Sequence, residues 1–202
     1  SDLSVGMVLE AVRLARGGTL VLASSTSQMR RYGWELKNEA NWTGDFRPRV
    51  KVQGDMGRAQ LREWFKSDVD GVLVATRSFF QGLDVQGDAC RLVIINRVPF
   101  ARPDDPVENA VQALLVQRSG GGNGYMLRSV PEAAMVLAQG AGRLIRSQQD
   151  RGAVLLLDAR VMGPGDGWQL LRNALPPFPV SREIQDIENL LQGHPLIGVA
   201  LP

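Results

Sequence analysis

Short apolar runs alternate along the chain with longer segments in which apolar residues recur every three or four positions. The short runs have the length and aliphatic content of buried strands. They cover residues 19–23, 71–75, 92–95 and 153–157, with a further short strand at 49–53. The longer segments have the period of helices. They cover residues 3–16, 28–40, 56–67, 106–117, 131–147 and 181–191.

Continuous apolar strands spaced by helices are typical of a mostly parallel sheet with helices on both faces. We therefore expect a single α/β domain over residues 1–202. Ligands of such open sheets bind beyond the carboxyl ends of the strands. The functional residues should then be the polar residues that directly follow the strands. These residues are Ser24, Ser25, Thr26, Thr76, Arg77, Ser78, Asn96, Arg97 and Asp158.

The composition is that of an ordinary globular protein, with 44% hydrophobic and 22% charged residues and a net charge of +2. All but three of the 23 basic residues are arginine, the exceptions being Lys37, Lys51 and Lys66. Arginine suits planar, bidentate contact with phosphate. A high-GC gene also raises arginine content, so the composition permits a nucleic-acid partner without requiring one.

Cys90 is the only cysteine and His194 the only histidine in the sequence. A disulfide framework, a zinc site and an iron–sulfur cluster built by this chain alone are therefore excluded, because each needs several thiolates or histidines. A histidine-based catalytic triad is not expected either, since His194 lies in a Gly-His-Pro turn. No apolar run approaches the roughly 18 residues that a membrane span requires, and no signal-peptide pattern opens the chain.

The segment at residues 139–146 carries the most informative chemistry. Gln139, Arg143 and Arg146 are spaced by four and three residues, which places them on one face of a helix. Gly140 and Gly142 each cost such a helix about 1 kcal/mol relative to alanine. Two glycines beside this polar face indicate that a ligand or another chain segment approaches the backbone closely.

This segment resembles motif VI of superfamily 2 helicases in the form found in DinG/XPD-like enzymes. Residues 18–26 resemble motif IV, residues 78–87 resemble motif V, and residues 97–106 match the family's linking element. Smaller matches lie at residues 53–54, 129–133 and 150–152. The matches follow the family's order from about residue 5 to residue 178. The resemblance implies a RecA-like fold and the second motor domain of a helicase.

In this family ATP lies between two RecA-like domains, and the second domain supplies groups in trans. The resemblance implies that Arg143 and Arg146 are arginine fingers, which stabilise charge on the transferring phosphoryl group. Gln139 would hydrogen-bond near the γ-phosphate or the attacking water.

Further nucleotide contacts implied by the resemblance fall on Gly82, Asp84 and Gly142, although Asp84 also suits a turn-capping role. Two positions depart from the family pattern. Gln81 replaces the usual glutamate and Phe80 the usual tryptophan, so an electrostatic role of that acidic residue is not expected here.

The resemblance also implies contacts to DNA from residues that follow the strands. The candidates are Ser24, Ser25, Thr26, Thr76, Arg77, Ser78 and Phe79. Hydroxyl groups can bind backbone phosphates without reading sequence, and they can equally cap the following helices. Of the two phenylalanines, Phe79 is the candidate for stacking on a base, and Phe80 is expected in the core.

The sequence lacks the P-loop pattern Gly-x-x-x-x-Gly-Lys-[Ser/Thr] and contains no Asp-Glu-x-His. ATP and Mg²⁺ would therefore be bound mainly by an N-terminal motor domain that is not in this chain. We expect the chain to be a fragment that does not hydrolyse ATP alone. No metal site or iron–sulfur cluster is expected within it.

Together these features predict the C-terminal motor domain of an ATP-dependent 5′-to-3′ DNA helicase in repair or replication. Its partners would be single-stranded or forked DNA and its own N-terminal motor domain, in the bacterial cytoplasm and associated with the nucleoid. Two alternatives remain open. One is a non-catalytic RecA-like scaffold or nucleic-acid-binding domain. The other is an RNA helicase or a translocase that does not unwind.

Overall fold

The computed structural model describes residues 3–80, 90–100, 104–142, 152–174, 179–192 and 199–200. In these ranges the helices are α1 (Leu3–Ala15), α2 (Thr26–Lys37), α3 (Arg58–Ser67), α4 (Arg77–Phe80), α5 (Pro106–Arg118), α6 (Val130–Gly142), α7 (Asp166–Ala174) and α8 (Asp186–Leu191). The strands are β1 (Thr19–Ala23), β2 (Arg49–Val52), β3 (Gly71–Thr76), β4 (Leu92–Ile95), β5 (Ala153–Leu156), β6 (Val180–Ser181) and β7 (Val199–Ala200). Short 3₁₀ turns lie at Glu39–Asn41 and Ala159–Met162, and a π-helical turn lies at Tyr125–Ser129.

The strands form one sheet in the order β2-β3-β1-β4-β5-β7-β6, and every described pairing in it is parallel. β1 lies between β3 and β4, so that Thr19 is in register with Val72 on one side and with Leu92 on the other. The five longer strands form the part of the sheet from β2 to β5. The prediction of an α/β domain with a parallel sheet is confirmed.

Both faces of the sheet are buried, which explains why the strands are apolar at consecutive positions rather than at alternate ones. On β1, Leu20 and Leu22 face one layer of the core, whereas Val21 and Ala23 face the other. The layer beneath Val21 contains the buried side chains of α1, α2 and α8. The layer beneath Leu20 contains those of α3, α6 and α7. Helices therefore cover both faces, as predicted.

Several element boundaries differ from those predicted. α2 begins two residues before the predicted start at residue 28, because Ser25 caps it by accepting a hydrogen bond from the backbone N–H of Gln28. α7 and the π-helical turn were not predicted. The helix predicted over residues 181–191 is shorter, since α8 covers only Asp186–Leu191 after the short strand β6. The predicted continuation of α6 to residue 147 lies outside the described residues.

A tight turn joins α1 to β1 at the amino edge of the sheet. Gly17 adopts φ +90°, and a Cβ atom there would lie 2.4 Å from the carbonyl oxygen of Asp70. The turn is held by Arg91, whose Nη2 donates to the carbonyl oxygens of Arg16 at 3.1 Å and of Val69 at 3.0 Å. Only glycine therefore fits at position 17.

We predict that Gly17→Ala lowers the free energy of unfolding by about 3 kcal/mol, since it combines a left-handed backbone with a clash against main-chain atoms. Gly6→Ala is the matched control. Gly6 is exposed on α1 with no atom within 4 Å of a built Cβ, so alanine there should raise stability by about 0.5–1 kcal/mol. Urea titration measures both changes. Equal effects at the two positions would contradict the close approach at Gly17.

Candidate functional site

The carboxyl ends of the parallel strands bring polar residues together at one edge of the sheet. Ser24 follows β1, Gln53 follows β2, Arg77 follows β3, and Asn96 follows β4. Asp158 lies two residues beyond the end of β5. This edge, which we call the carboxyl edge, contains the described part of the predicted site.

Asn96 connects the loops at the centre of the carboxyl edge and is only 5% exposed. Its Oδ1 accepts a hydrogen bond from the backbone N–H of Ser24 at 2.9 Å, and its Nδ2 donates to the hydroxyl of Tyr32 at 3.2 Å. The Tyr32 hydroxyl donates in turn to Ser4 Oγ at 3.3 Å. Asn96 therefore fixes the position of the loop after β1 relative to β4, α2 and α1.

The three hydroxyl residues at the start of α2 differ in exposure and in hydrogen bonding. Ser24 and Thr26 are exposed, and Thr26 is the first residue of the helix. Ser25 is the N-cap, and its hydroxyl also lies 2.9 Å from Ser27 Oγ. Of the three hydroxyl residues, Ser25 caps the helix, while the side chains of Ser24 and Thr26 face solvent.

Gln53 ties the loop after β2 to the end of β3. Its Oε1 accepts hydrogen bonds from both the backbone N–H and the hydroxyl of Thr76, each at 2.9 Å. Thr76 Oγ1 lies 3.0 Å from Ser78 Oγ, and Ser78 is exposed. Thr76 therefore serves the local structure, and Ser78 is the hydroxyl presented to solvent. The sequence indicated Gln53 only as part of a small family motif. Its contact with Thr76 could not be predicted, because the two residues are 23 positions apart.

The Phe79 side chain is 4% exposed and belongs to the hydrophobic core. The guanidinium of Arg58 lies over the ring, 5.4 Å from its centroid, and Nη2 donates to the carbonyl oxygens of Ser78 and Phe79, both at 3.1 Å. Arg58 and Phe79 line a pocket of about 240 Å³, and its other walls are formed by Gln53, Gly54, Met56 and Ser78. Stacking of Phe79 on a DNA base would require the ring to leave these core and Arg58 contacts, and it stays a prediction.

Asp158 is a buried carboxylate, 5% exposed, at the end of β5. It accepts hydrogen bonds from the backbone N–H of Val98 at 3.0 Å and from Nε and Nη2 of Arg160, both at 2.7 Å. Burial by itself raises the pKa of Asp158, but the hydrogen bonds and the charge of Arg160 outweigh it and hold the pKa below its ordinary value. The Arg160 guanidinium also lies over the ring of Trp168.

A second pocket, of about 110 Å³, lies between the ends of β1 and β4. Its walls are formed by Leu22, Ala23, Ser24, Ile95, Arg97, Val98, Pro99, Phe100 and Val136. Val136 comes from α6, three residues before Gln139, which is a rise of about 4.5 Å along a helix. The pocket therefore shows that the part of α6 just before residues 139–146 lies beside the loops that follow β1 and β4.

Several predicted site residues cannot be placed by the described part of the structure. Gly82, Asp84, Arg143 and Arg146 lie outside the described residues. For Arg77 and Gln139 only the backbone is described, on α4 and α6, and Gly142 is the last residue of α6. Their assigned contacts with nucleotide and DNA stay predictions. In the described ranges no group of three or more His, Cys, Asp or Glu could hold a metal ion, and no helix could cross a membrane.

Comparison with known proteins gives consistent matches. The model of the helicase C-terminal domain family matches residues 8–178. The chain is 40% identical over 171 residues to a Mycobacterium tuberculosis protein named ATP-dependent helicase DinG, covering 85% of this chain and 24% of that protein. It is 34% identical over 187 residues to the ATP-dependent DNA helicase YoaA of Haemophilus influenzae, covering 92% and 28%.

A third relative is a Bacillus subtilis protein named 3′-5′ exonuclease DinG, which is 36% identical over 171 residues. The alignment covers 84% of this chain and 18% of that protein. The chain thus spans between 18% and 28% of the length of these curated relatives.

We predict that Asp158→Asn lowers the free energy of unfolding at pH 7 by about 1–3 kcal/mol, since it removes the charge from a buried carboxylate that accepts hydrogen bonds from Val98 and Arg160. Because the pKa is depressed in the folded state, this contribution is present above the unfolded pKa and is lost as the pH falls through the folded one. The difference from wild type should therefore shrink from about pH 5 downward. Asp45→Asn, at an exposed turn, is the control that should change little. A difference independent of pH would contradict the ionised pair.

We predict that Phe79→Ala lowers the free energy of unfolding by about 3–5 kcal/mol, as expected for removing a buried aromatic side chain. Phe79→Leu keeps most of the apolar volume and should cost less, about 1–1.5 kcal/mol. Chemical denaturation of both variants measures the difference. A change below about 0.5 kcal/mol for Phe79→Ala would mean that the ring is not part of the core.

Proposed function

The chain belongs to the helicase C-terminal domain family, and from this membership we propose that it is the second motor domain of an ATP-dependent DNA helicase. In this role it closes on an N-terminal ATP-binding domain and supplies groups to the ATP and to the DNA backbone. We further propose that translocation runs 5′ to 3′ on single-stranded or forked DNA, in the nucleoid of a bacterial cell.

The observation that carries the proposal is the carboxyl edge itself. Loops after five parallel strands place their polar residues on one side of the domain, and α6 reaches the same edge through Val136. Open α/β sheets bind their ligands at such an edge. A second RecA-like domain that faced this edge would close a cleft for nucleotide. The names of the relatives, which include ATP-dependent DNA helicases, support the same role.

The proposed contribution to ATP hydrolysis is electrostatic. Arg143 and Arg146 would contact the γ-phosphoryl oxygens as negative charge develops during bond cleavage. Gln139 would hydrogen-bond to the γ-phosphate or the attacking water. The sequence has no P-loop of its own, so ATP and Mg²⁺ would be held by the ATP-binding domain. The chain alone should then show no ATP hydrolysis.

A second set of contacts would sense the nucleotide. Asp84 would contact the ribose or report the nucleotide state, while the backbone at Gly82 and Gly142 would allow close approach. The absence of a Cβ atom is the property that glycine offers at such positions.

DNA contacts are proposed for the exposed hydroxyls of the carboxyl edge. Ser24 and Thr26 at the start of α2 and Ser78 after β3 face solvent, where they could donate to backbone phosphates. Ser25 and Thr76 act mainly by holding these loops in place. Arg77 remains a proposed phosphate contact and Phe79 a proposed stacking contact.

We predict that Arg143→Ala and Arg146→Ala each reduce DNA-stimulated ATP turnover by two decades or more, because an arginine finger contributes roughly 10³–10⁵ in rate. The measurement uses the protein in which this chain is joined to an ATP-binding domain. Binding of labelled ATP should be retained, since the fingers act on charge that develops in the transition state. Arg118→Ala on the exposed end of α5 is the matched control and should retain full turnover.

Unchanged turnover in both finger variants would contradict the motor assignment and favour a scaffold or binding role for this domain. Stimulation by RNA rather than DNA would keep the motor role but overturn the proposed substrate. ATP hydrolysis by the isolated chain would overturn the proposal that the other domain supplies the nucleotide site.

A further inference from the structure

One flank of α2 combines an exposed tryptophan with two cations. Trp34 is 65% exposed, the side chains of Arg30 and Lys37 are also exposed, and the three residues are spaced by four and three positions. This spacing places Arg30, Trp34 and Lys37 in a row along one side of the helix. A large aromatic side chain in solvent between two cations requires an explanation other than core packing, because Met29 and Leu36 on the same helix already supply the buried contacts.

The flank lies beside β2, the strand at the edge of the sheet. Gly33 is buried against this strand, since a Cβ there would lie 2.4 Å from Cγ2 of Val52. Lys37 Nζ lies 2.7 Å from Oδ2 of Asp55, just beyond the end of β2. The row therefore runs along the outer side of the domain, next to the strand that ends the sheet in the described residues.

The same flank begins at the carboxyl edge. Thr26 and Ser27 at the first turn of α2 are exposed and project to the same side as Trp34 by helical periodicity. From Thr26 to Lys37 the helix rises about 17 Å. Hydroxyls, a cation, an indole and a second cation thus follow one another over a length that suits a few nucleotides.

The electrostatic environment of the flank is mixed but favours an anion. Asp55 is a carboxylate in contact with the row, and it forms an ion pair with Lys37 and also interacts with the charge of Lys51. Glu35, the acidic residue of α2, lies on the other side of the helix and accepts a hydrogen bond from Asn41. Arg30, four residues before Trp34, is therefore the cation best placed for a phosphate.

We propose that this α2 flank, formed by Thr26, Ser27, Arg30, Trp34 and Lys37, is a binding track for single-stranded DNA. Trp34 stacks on an unpaired base, Arg30 and Lys37 contact backbone phosphates, and the two hydroxyls connect the track to the carboxyl edge. The inference rests on the proposed function, because it extends the path of the same DNA strand beyond the edge.

Single-stranded DNA fits this surface better than a protein partner does. A strand presents phosphates and base faces in alternation, and the flank presents cations and an indole in alternation. A protein interface would be centred on a contiguous apolar patch, whereas hydroxyls and charged side chains bracket Trp34. Duplex DNA hides its base faces in the stack, so the track should prefer single strands.

The test measures binding of a fluorescein-labelled oligothymidylate to the 202-residue chain by anisotropy over a range of salt concentrations. Trp34→Ala should weaken binding about tenfold at every salt concentration, because base–aromatic stacking is largely independent of salt. Trp34→Phe should restore part of the loss. Arg30→Ala should reduce the slope of log K against log salt by about 0.7, the value for one phosphate contact on a single strand.

Arg118→Ala is the matched control for an exposed arginine outside the track and should change neither the affinity nor the slope. Thermal unfolding of each variant checks that the fold is retained, as expected for exposed positions. Equal binding by wild type and Trp34→Ala, or the absence of any oligothymidylate binding at low salt, would overturn the track. Loss of association with the ATP-binding domain in Trp34→Ala, with DNA binding unchanged, would assign the flank to a protein contact instead.

These outcomes are separate from those for the motor role. The ATP turnover of the Arg143 and Arg146 variants tests the proposed function, and it does not depend on Trp34. Intact finger effects together with unchanged DNA binding in the Trp34 and Arg30 variants would leave the motor assignment in place and remove only the track.

Discussion

Parallel hydrogen bonding of β1 to β3 on one side and to β4 on the other is the constraint on which the structure depends. Because apolar side chains cover both faces of these strands, their backbone groups can be satisfied only within the sheet. Parallel pairing then sends every carboxyl end to the same edge. Polar residues that would be costly inside the two core layers are tolerated there. The position of the candidate site is thus a consequence of how the backbone is paired.

The polar residues at this edge divide into those that hold the loops and those that face solvent. Asn96, Gln53 and Asp158 are engaged with backbone groups of neighbouring loops. Because these bonds link segments that are distant in the sequence, they fix the loops relative to one another. Exposed hydroxyls such as those of Ser24 and Ser78 then occupy defined positions. Hydroxyl groups held in this way can donate to phosphates without reading bases.

Local pattern was sufficient for most of the fold. All five of the longer strands were expected within one residue of their observed limits, because a short apolar run between helical segments has few other solutions. α7 was missed because it has only nine residues and begins in a glycine-rich segment, with Gly163, Gly165 and Gly167. The helix that ends at Leu191 was predicted to begin too early, at residue 181 rather than at Asp186. Helical spacing continues upstream of Asp186, but Val180 and Ser181 pair with β7 instead.

Local sequence patterns established the fold class, the identity of the strands and the polar residues that follow them, because each depends on residues within a few positions. They also indicated the arginine-containing segment at residues 139–146. The strand order, the burial of Phe79 beneath Arg58 and the hydrogen bond from Asn96 to Tyr32 could be seen only in three dimensions. These features depend on which distant segments meet in three dimensions, and that choice is made by packing of the whole core rather than by any local preference.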